Sequence, residues 1–206
     1  MAAPGSPGPD LFDQVANVTL ATKAVSCTGL NRVGRKSTGE PYFGSSGGNR
    51  WDDPLGVYGV CYLGDSLVTA FAESVLHDRE PIDGQFHLAS SEIDDRFAIG
   101  FGSGTLHVVD LTGVLLKRLG FKNDICAGAD YGEAQKLSRA IYQHPAGVAG
   151  IRYVSRQVNT QYAYAIFDRA ASSFGPPIYT KLQEHADLSS VIGAFHARIH
   201  GRRAAP

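Results

Sequence analysis

The chain is short of cysteine, of net charge and of long apolar runs, and each shortage removes a class of function. Cys27, Cys61 and Cys126 are its only thiols. An odd number without a CxxC pair provides neither a disulfide framework nor a thiolate zinc site. Cys61 lies within an apolar run and reads as a buried thiol, and the set fits a reducing compartment, so a cytoplasmic location is expected. Lys and Arg number 19 against 20 Asp and Glu, for a formal net charge of -1. No broad basic field is left for direct nucleic-acid binding. No stretch approaches the roughly 18 apolar residues of a membrane span. The opening MAAPGSPGPD lacks the charged and apolar regions of a signal peptide. Its Pro, Gly and Ala content reads as a disordered lead over residues 1–10, with residues 11–206 forming one domain.

The familiar catalytic motifs are missing too. The Gly-rich stretches Gly44 to Gly48 and Gly100 to Gly104 have no P-loop Lys-Ser/Thr, and neither sits between a strand and a helix as a dinucleotide fingerprint does. They read as loops. Seven histidines are scattered without an HExxH pair or a Cys/His cluster, so no metal is expected. No Ser sits in a GxSxG elbow, which leaves an acyl-transfer triad unsupported.

The stretch from Arg50 to His77 is the most organised part of the chain. Val57 to Leu63 is an apolar run of strand length and β-branched or aromatic content. Gly64-Asp65-Ser66 breaks it and offers N-cap residues. From Ser66 to Leu76 the pattern is helical, with Ser66, Thr69, Glu73 and His77 on one narrow stripe of an otherwise apolar surface. Glu73 stands out, because an ionised carboxylate is costly to bury without a partner.

Around this stretch the reading is coarser. Leu11 to Cys27 could be helix or strand, Gly29 to Gly34 a short strand bearing Arg32, and residues 34–49 a long loop. Extended pieces are expected at Gln85 to Ala89, Phe97 to Phe101 and Leu106 to Leu111. A short helix from Val114 stops at Gly120, and Asp130 caps a helix over Tyr131 to Tyr142. Gly150 to Arg156 and Tyr162 to Phe167 read as strands joined in hairpin fashion. Pro176-Pro177 breaks the chain, and apolar positions from Leu188 to Ile199 predict a C-terminal amphipathic helix. Strands and helices interleave irregularly, which predicts an α+β fold with a mixed or antiparallel sheet flanked by helices.

Taken singly, the polar residues in apolar context have plain explanations. Arg32 or Arg50 could pair with Asp52 or Asp53 at the surface, and Tyr62 could be a core aromatic with its hydroxyl satisfied. Glu73 could be half of a structural ion pair, and Ser155 a strand-end hydroxyl. Their order along the chain says more. Arg32 lies on an early strand, Arg50-Trp51 follows, then Tyr62-Leu63, then Ala70-Phe71-Ala72-Glu73 on a helix, and much later Arg152-Tyr153-Val154-Ser155. This pattern, spanning about Leu30 to Phe167, resembles the RES-domain family, named for its Arg, Glu and Ser.

The resemblance implies a bacterial toxin of a toxin-antitoxin pair, with a core similar to the diphtheria-toxin-like ADP-ribosyltransferases. It implies NAD as the substrate, either destroyed or used to modify a protein. Arg32, Tyr62 and Glu73 would be the catalytic trio, with Arg32, Arg50, Tyr62 and Ser155 contacting NAD. The implied partner is a helix-turn-helix antitoxin of the Xre type, or an immunity protein if the chain is an interbacterial effector; a homodimer stays open. The residue types suit the chemistry. Cleaving nicotinamide from ribose passes through an oxocarbenium-like state, which a fixed carboxylate stabilises electrostatically. An Arg offers a forked donor for pyrophosphate. The leading expectation is an NAD glycohydrolase or phosphorylase; the alternatives are a protein ADP-ribosyltransferase and a non-catalytic interaction module.

Overall fold

The computed structural model describes residues 11–201, so the expected lead at 1–10 and the final residues 202–206 lie outside the described residues. In chain order the first elements are α1 (Leu11–Val15), β1 (Thr22–Ser26), β2 (Arg32–Gly34), β3 (Val60–Gly64) and α2 (Leu67–Ser74). Next come β4 (His87–Ala89), α3 (Ser91–Asp94), β5 (Phe97–Phe101), β6 (Thr105–Asp110), α4 (Leu115–Arg118), α5 (Asp124–Ala127) and α6 (Gly132–Gln143). The chain ends with β7 (Gly150–Val154), β8 (Tyr162–Phe167), β9 (Pro177–Lys181), α7 (Leu188–Ala194) and β10 (Arg198–His200). The fold is α+β in a single domain.

Five strands form the main sheet in the order β1-β6-β7-β8-β3. Only β6 and β7 run parallel; the other pairs are antiparallel. A second, antiparallel sheet has the order β2-β5-β9. The strand period of two explains how the main sheet sits between two cores. In β3, Val60 and Tyr62 pack toward α1, α4, α5 and α6, whereas Cys61 and Leu63 face the second sheet. β8 does the same, with Ala163, Ala165 and Phe167 on one side and Tyr164 and Ile166 on the other. Burial on both faces is why these strands read as unbroken apolar runs.

A third core holds α2. Phe71 and Leu67 pack with Val33 of β2, Ala98 of β5 and Val191 of α7. Ser66 caps the helix as expected, its hydroxyl accepting from Thr69 N–H at 3.1 Å. All three cysteines are reduced and buried. Burial pushes the thiols of Cys61 and Cys126 up to about 12, which leaves neither as a nucleophile.

Several expectations need correction. The run from Val57 is a strand only from Val60, and Val57 is exposed. Pro176-Pro177 does not end the structure there, because Pro177 opens β9, an edge strand whose first residue tolerates a missing N–H. The C-terminal helix stops at Ala194: His196 takes a left-handed φ of 48°, and Ala197 N–H turns back to Ile192 O at 2.9 Å. Ile199 then belongs to β10, opposite Leu88. The one-turn helices α3 and α5 are too short to show a period.

Candidate active site

The site starts from the way β2 is laid beside β3. Asn31 and Gly64 exchange backbone hydrogen bonds of 2.9 and 2.8 Å. This bridge brings Arg32 to the end of β3, where its Nη1 donates to Tyr62 O at 3.1 Å and its Nε to Glu40 Oε1 at 3.0 Å. On the other side of the turn, Asp65 N–H donates to Tyr162 O at 3.0 Å, and its Oδ2 accepts the Tyr162 N–H at 3.0 Å. β8 thereby ties the start of α2 close to the end of β7, where Ser155 sits. Gly64 permits this closeness: a Cβ there would lie 2.7 Å from Ala70 N and 2.8 Å from Thr69 Cβ.

Glu73 lies two turns into α2. Ser155 Oγ–H donates to its Oε1 at 2.6 Å, a short charge-assisted bond. His77, one turn on, places Nδ1 at 3.8 Å from Oε2, an electrostatic contact and not a hydrogen bond. Burial would raise the Glu73 carboxyl, but His77 and Ser155 outweigh it and hold it below the ordinary carboxylate range. The same contact with Glu73 raises His77 against its partial burial, with Asp78 adding to the rise and Arg156 opposing it. The ion pair considered for Glu73 is thus a contact with His77, and among the described residues no arginine pairs with it. Arg32 pairs with Glu40, and Arg152 with Asp110 at 2.8 Å.

Tyr62 is fixed by its hydroxyl, which donates to Asp52 Oδ1 at 2.9 Å and accepts the Trp51 N–H at 3.0 Å. Burial, reinforced by the Asp52 charge, pushes this phenol far above its ordinary range, so it stays neutral. Arg50 is buried at 7 % exposure and donates to Ile125 O at 3.3 Å and Gly128 O at 2.8 Å. Its guanidinium sits 4.6 Å from the centroid of the Tyr131 ring. Carbonyls and a π-face hold it in place without cancelling its charge. The surface pairing considered for Arg32 and Arg50 with Asp52 or Asp53 does not occur: Asp53 pairs with Arg139 at 2.8 Å, and Asp52 is fully buried.

Arg32, Arg50, Tyr62 and Glu73 all line one cavity of about 260 Å³. Ser155 is not on its wall; buried at 1 % exposure, it stands behind Glu73. Its oxygen also accepts the N–H groups of Gln157 at 3.2 Å and Val158 at 3.1 Å. Thr69 does not solvate Glu73, since its hydroxyl is buried against Asp65 Oδ1 at 3.0 Å. His77, Tyr131, Asn49 and Arg156 join the lining without having been assigned from sequence. His77 was visible as the position one helical turn after Glu73. Tyr131 and Arg156 carry no local signal, because only the folded chain brings them there. Among the described residues no group of three or more His, Cys, Asp or Glu converges as a metal site would. No helix among them is long and apolar enough to cross a membrane.

Comparison with known proteins supplies the context. The RES domain matches residues 30–188. No curated protein matches the chain. Among solved structures, a chain from the crystal structure of the M. tuberculosis MbcT-MbcA toxin-antitoxin complex superposes with a TM-score of 0.62. It shares 15% sequence identity, and the match covers 87% of this chain and 97% of that one. At this identity the likeness speaks for the fold, and the domain match, which spans well over half of the sequence, speaks for kinship. The chain belongs to the RES-domain family.

Proposed function

We propose that the chain is the toxin of a toxin-antitoxin pair and that it cleaves the nicotinamide–ribose bond of NAD. The observation that carries this reading is Glu73, an ionised carboxylate oriented by Ser155 and His77 at the wall of a cavity that also presents Arg32 and Arg50. In the reaction the C1′–N bond breaks and its electron pair moves onto the pyridinium nitrogen. Nicotinamide therefore leaves neutral and needs no acid. Positive charge grows on the ribose, where Glu73 lowers its energy through a preorganised field. Water then bonds to C1′ and releases a proton to solvent, giving ADP-ribose; phosphate in its place gives the ribosyl phosphate. Arg32 and Arg50 suit the pyrophosphate, and Tyr62, held neutral, offers its ring rather than its proton. Ser155 acts on Glu73 and does not itself touch the ligand.

The toxin-antitoxin context rests on the family and on the likeness to a chain of a toxin-antitoxin complex. It makes a helix-turn-helix antitoxin the expected partner. The test is to incubate the purified chain with NAD, with and without phosphate, and to follow free nicotinamide by chromatography. Release under either condition supports the reading, and the phosphate dependence separates phosphorolysis from hydrolysis. No release under both removes NAD destruction. Release only with cell extract, with label ending on protein, reassigns the chain as an ADP-ribosyltransferase.

A further inference from the structure

Behind the cavity wall lies a carboxylate that the reaction does not use. Asp52 is fully buried, and among the described residues it makes no ion pair. Four donors converge on it instead. Tyr62 Oη–H reaches Oδ1 at 2.9 Å. Oδ2 accepts the Asn49 N–H at 3.0 Å, Asn49 Nδ2 at 3.0 Å and the Ser46 hydroxyl at 3.2 Å. Only a group with acceptor capacity on both oxygens satisfies this set; an amide of the same shape turns an N–H onto one of the two donor sides.

The two sides of Asp52 belong to two walls of one cavity. Tyr62 lines it from β3, while Gly48 and Asn49 line it from the loop before Arg50. The same loop is anchored further by Gln135 of α6, whose Nε2 donates to Gly47 O at 2.8 Å and Asn49 O at 3.0 Å. Tyr62 in turn accepts the Trp51 N–H, which closes the ring of contacts back onto the Arg50-Trp51 backbone. A buried carboxylate without a cation is costly to keep. Here its return is that strand wall and loop wall have one fixed spacing.

We propose that Asp52 is the positioning residue of this site: by bonding Tyr62 with one oxygen and the Ser46–Asn49 loop with the other, it sets the cavity to accept its ligand. Asp52 touches no ligand itself. Its effect reaches the ligand through the Tyr62 ring and the Gly48–Asn49 backbone. The ligand named in the test, NAD, rests on the function proposed above; the positioning itself does not.

Two measurements separate these. In the unliganded protein, NMR-detected amide exchange in Asp52→Asn should rise at Asn49, at Trp51 or at both, according to the side the amide N–H takes, whereas Tyr62→Phe should raise it at Trp51 and leave Asn49 near wild type. Wild-type protection of both amides in folded Asp52→Asn would overturn the proposal without any reference to NAD. The second measurement is NAD affinity by calorimetry in a Glu73→Gln background, in which turnover is slowed about 10²–10³-fold. Asp52→Asn and Tyr62→Phe should each weaken binding about tenfold, the scale of one lost hydrogen bond to a charged group. The double variant should bind little worse than the weaker single, because both variants break the same Tyr62–Asp52 bond. Fully additive losses, or an Asp52→Asn variant that binds as tightly as its parent, would overturn it. Ser46→Ala, which keeps the other three donors, should change affinity less than about threefold and guards against a misfolded Asp52 variant. The exchange pattern without any NAD binding in the parent supports the positioning and removes NAD as the ligand.

Discussion

A carboxylate that is to stabilise developing positive charge works best when no guanidinium is locked onto it, since such a partner would already cancel its field. Glu73 is arranged in this way, with a neutral hydroxyl on one oxygen and a half-exposed imidazole near the other. Removing the hydroxyl in Ser155→Ala should cost about 1.5–3 kcal/mol at the carboxylate and raise its pKa. The acid limb of the NAD-cleavage profile should then move to higher pH, which a pH series of initial rates reads directly. His77 gives a second pH signature. Its folded pKa is raised, so its contribution to stability is fully present below the ordinary imidazole value and is lost as pH rises through the raised one. Glu73 is lowered, so its contribution is present above the ordinary carboxylate value and is lost as pH falls through the depressed one. The pair therefore stabilises most between those ordinary values. Thermal melts of His77→Ala should fall below wild type at about pH 5.5, inside that window, and converge with it at about pH 9, well above the imidazole range.

At the scale of elements, the turn from β3 into α2 does the assembling. Gly64 serves it in two ways, through its backbone bridge to Asn31 and through its missing side chain against Ala70 and Thr69. A Cβ at that position meets helix backbone and must push α2 away from the strand. Gly64→Ala should cost about 1–3 kcal/mol, as overpacking does, read as a lower urea midpoint. Glu73 rides on the displaced helix, so activity should fall further than stability alone accounts for. Much of this unit was legible in the sequence, because strand period, break, cap and helical stripe follow one another within Val57 to His77. The loop at 44–49 was legible only as Gly-rich. Its order comes from Asp52 and Gln135, and neither contact has a local sequence signal. β9 and β10 were missed for a related reason: pairing with β5 and β4 makes them strands, against the local cues of a Pro pair and a helix-like spacing.

For the whole molecule, the α+β class and the convergence of distant residues depend on two cores wrapped around one mixed sheet. Arg32 and Ser155 reach the site from β2 and from the end of β7, far from Glu73 in sequence. Periodicity could place each on an element but not beside the other; only the family pattern linked them beforehand. The ion pair considered for Glu73 is in the fold a contact with His77, with Ser155 on the other oxygen. The central claim is that this carboxylate drives the cleavage of NAD. Its most direct test is single-turnover release of nicotinamide at saturating NAD, comparing the wild type with Glu73→Gln. The chemical step should slow by about 10²–10³, the usual loss for one preorganised electrostatic group, with the fold retained and NAD affinity little changed. A folded Glu73→Gln protein that releases nicotinamide at the wild-type rate would contradict it.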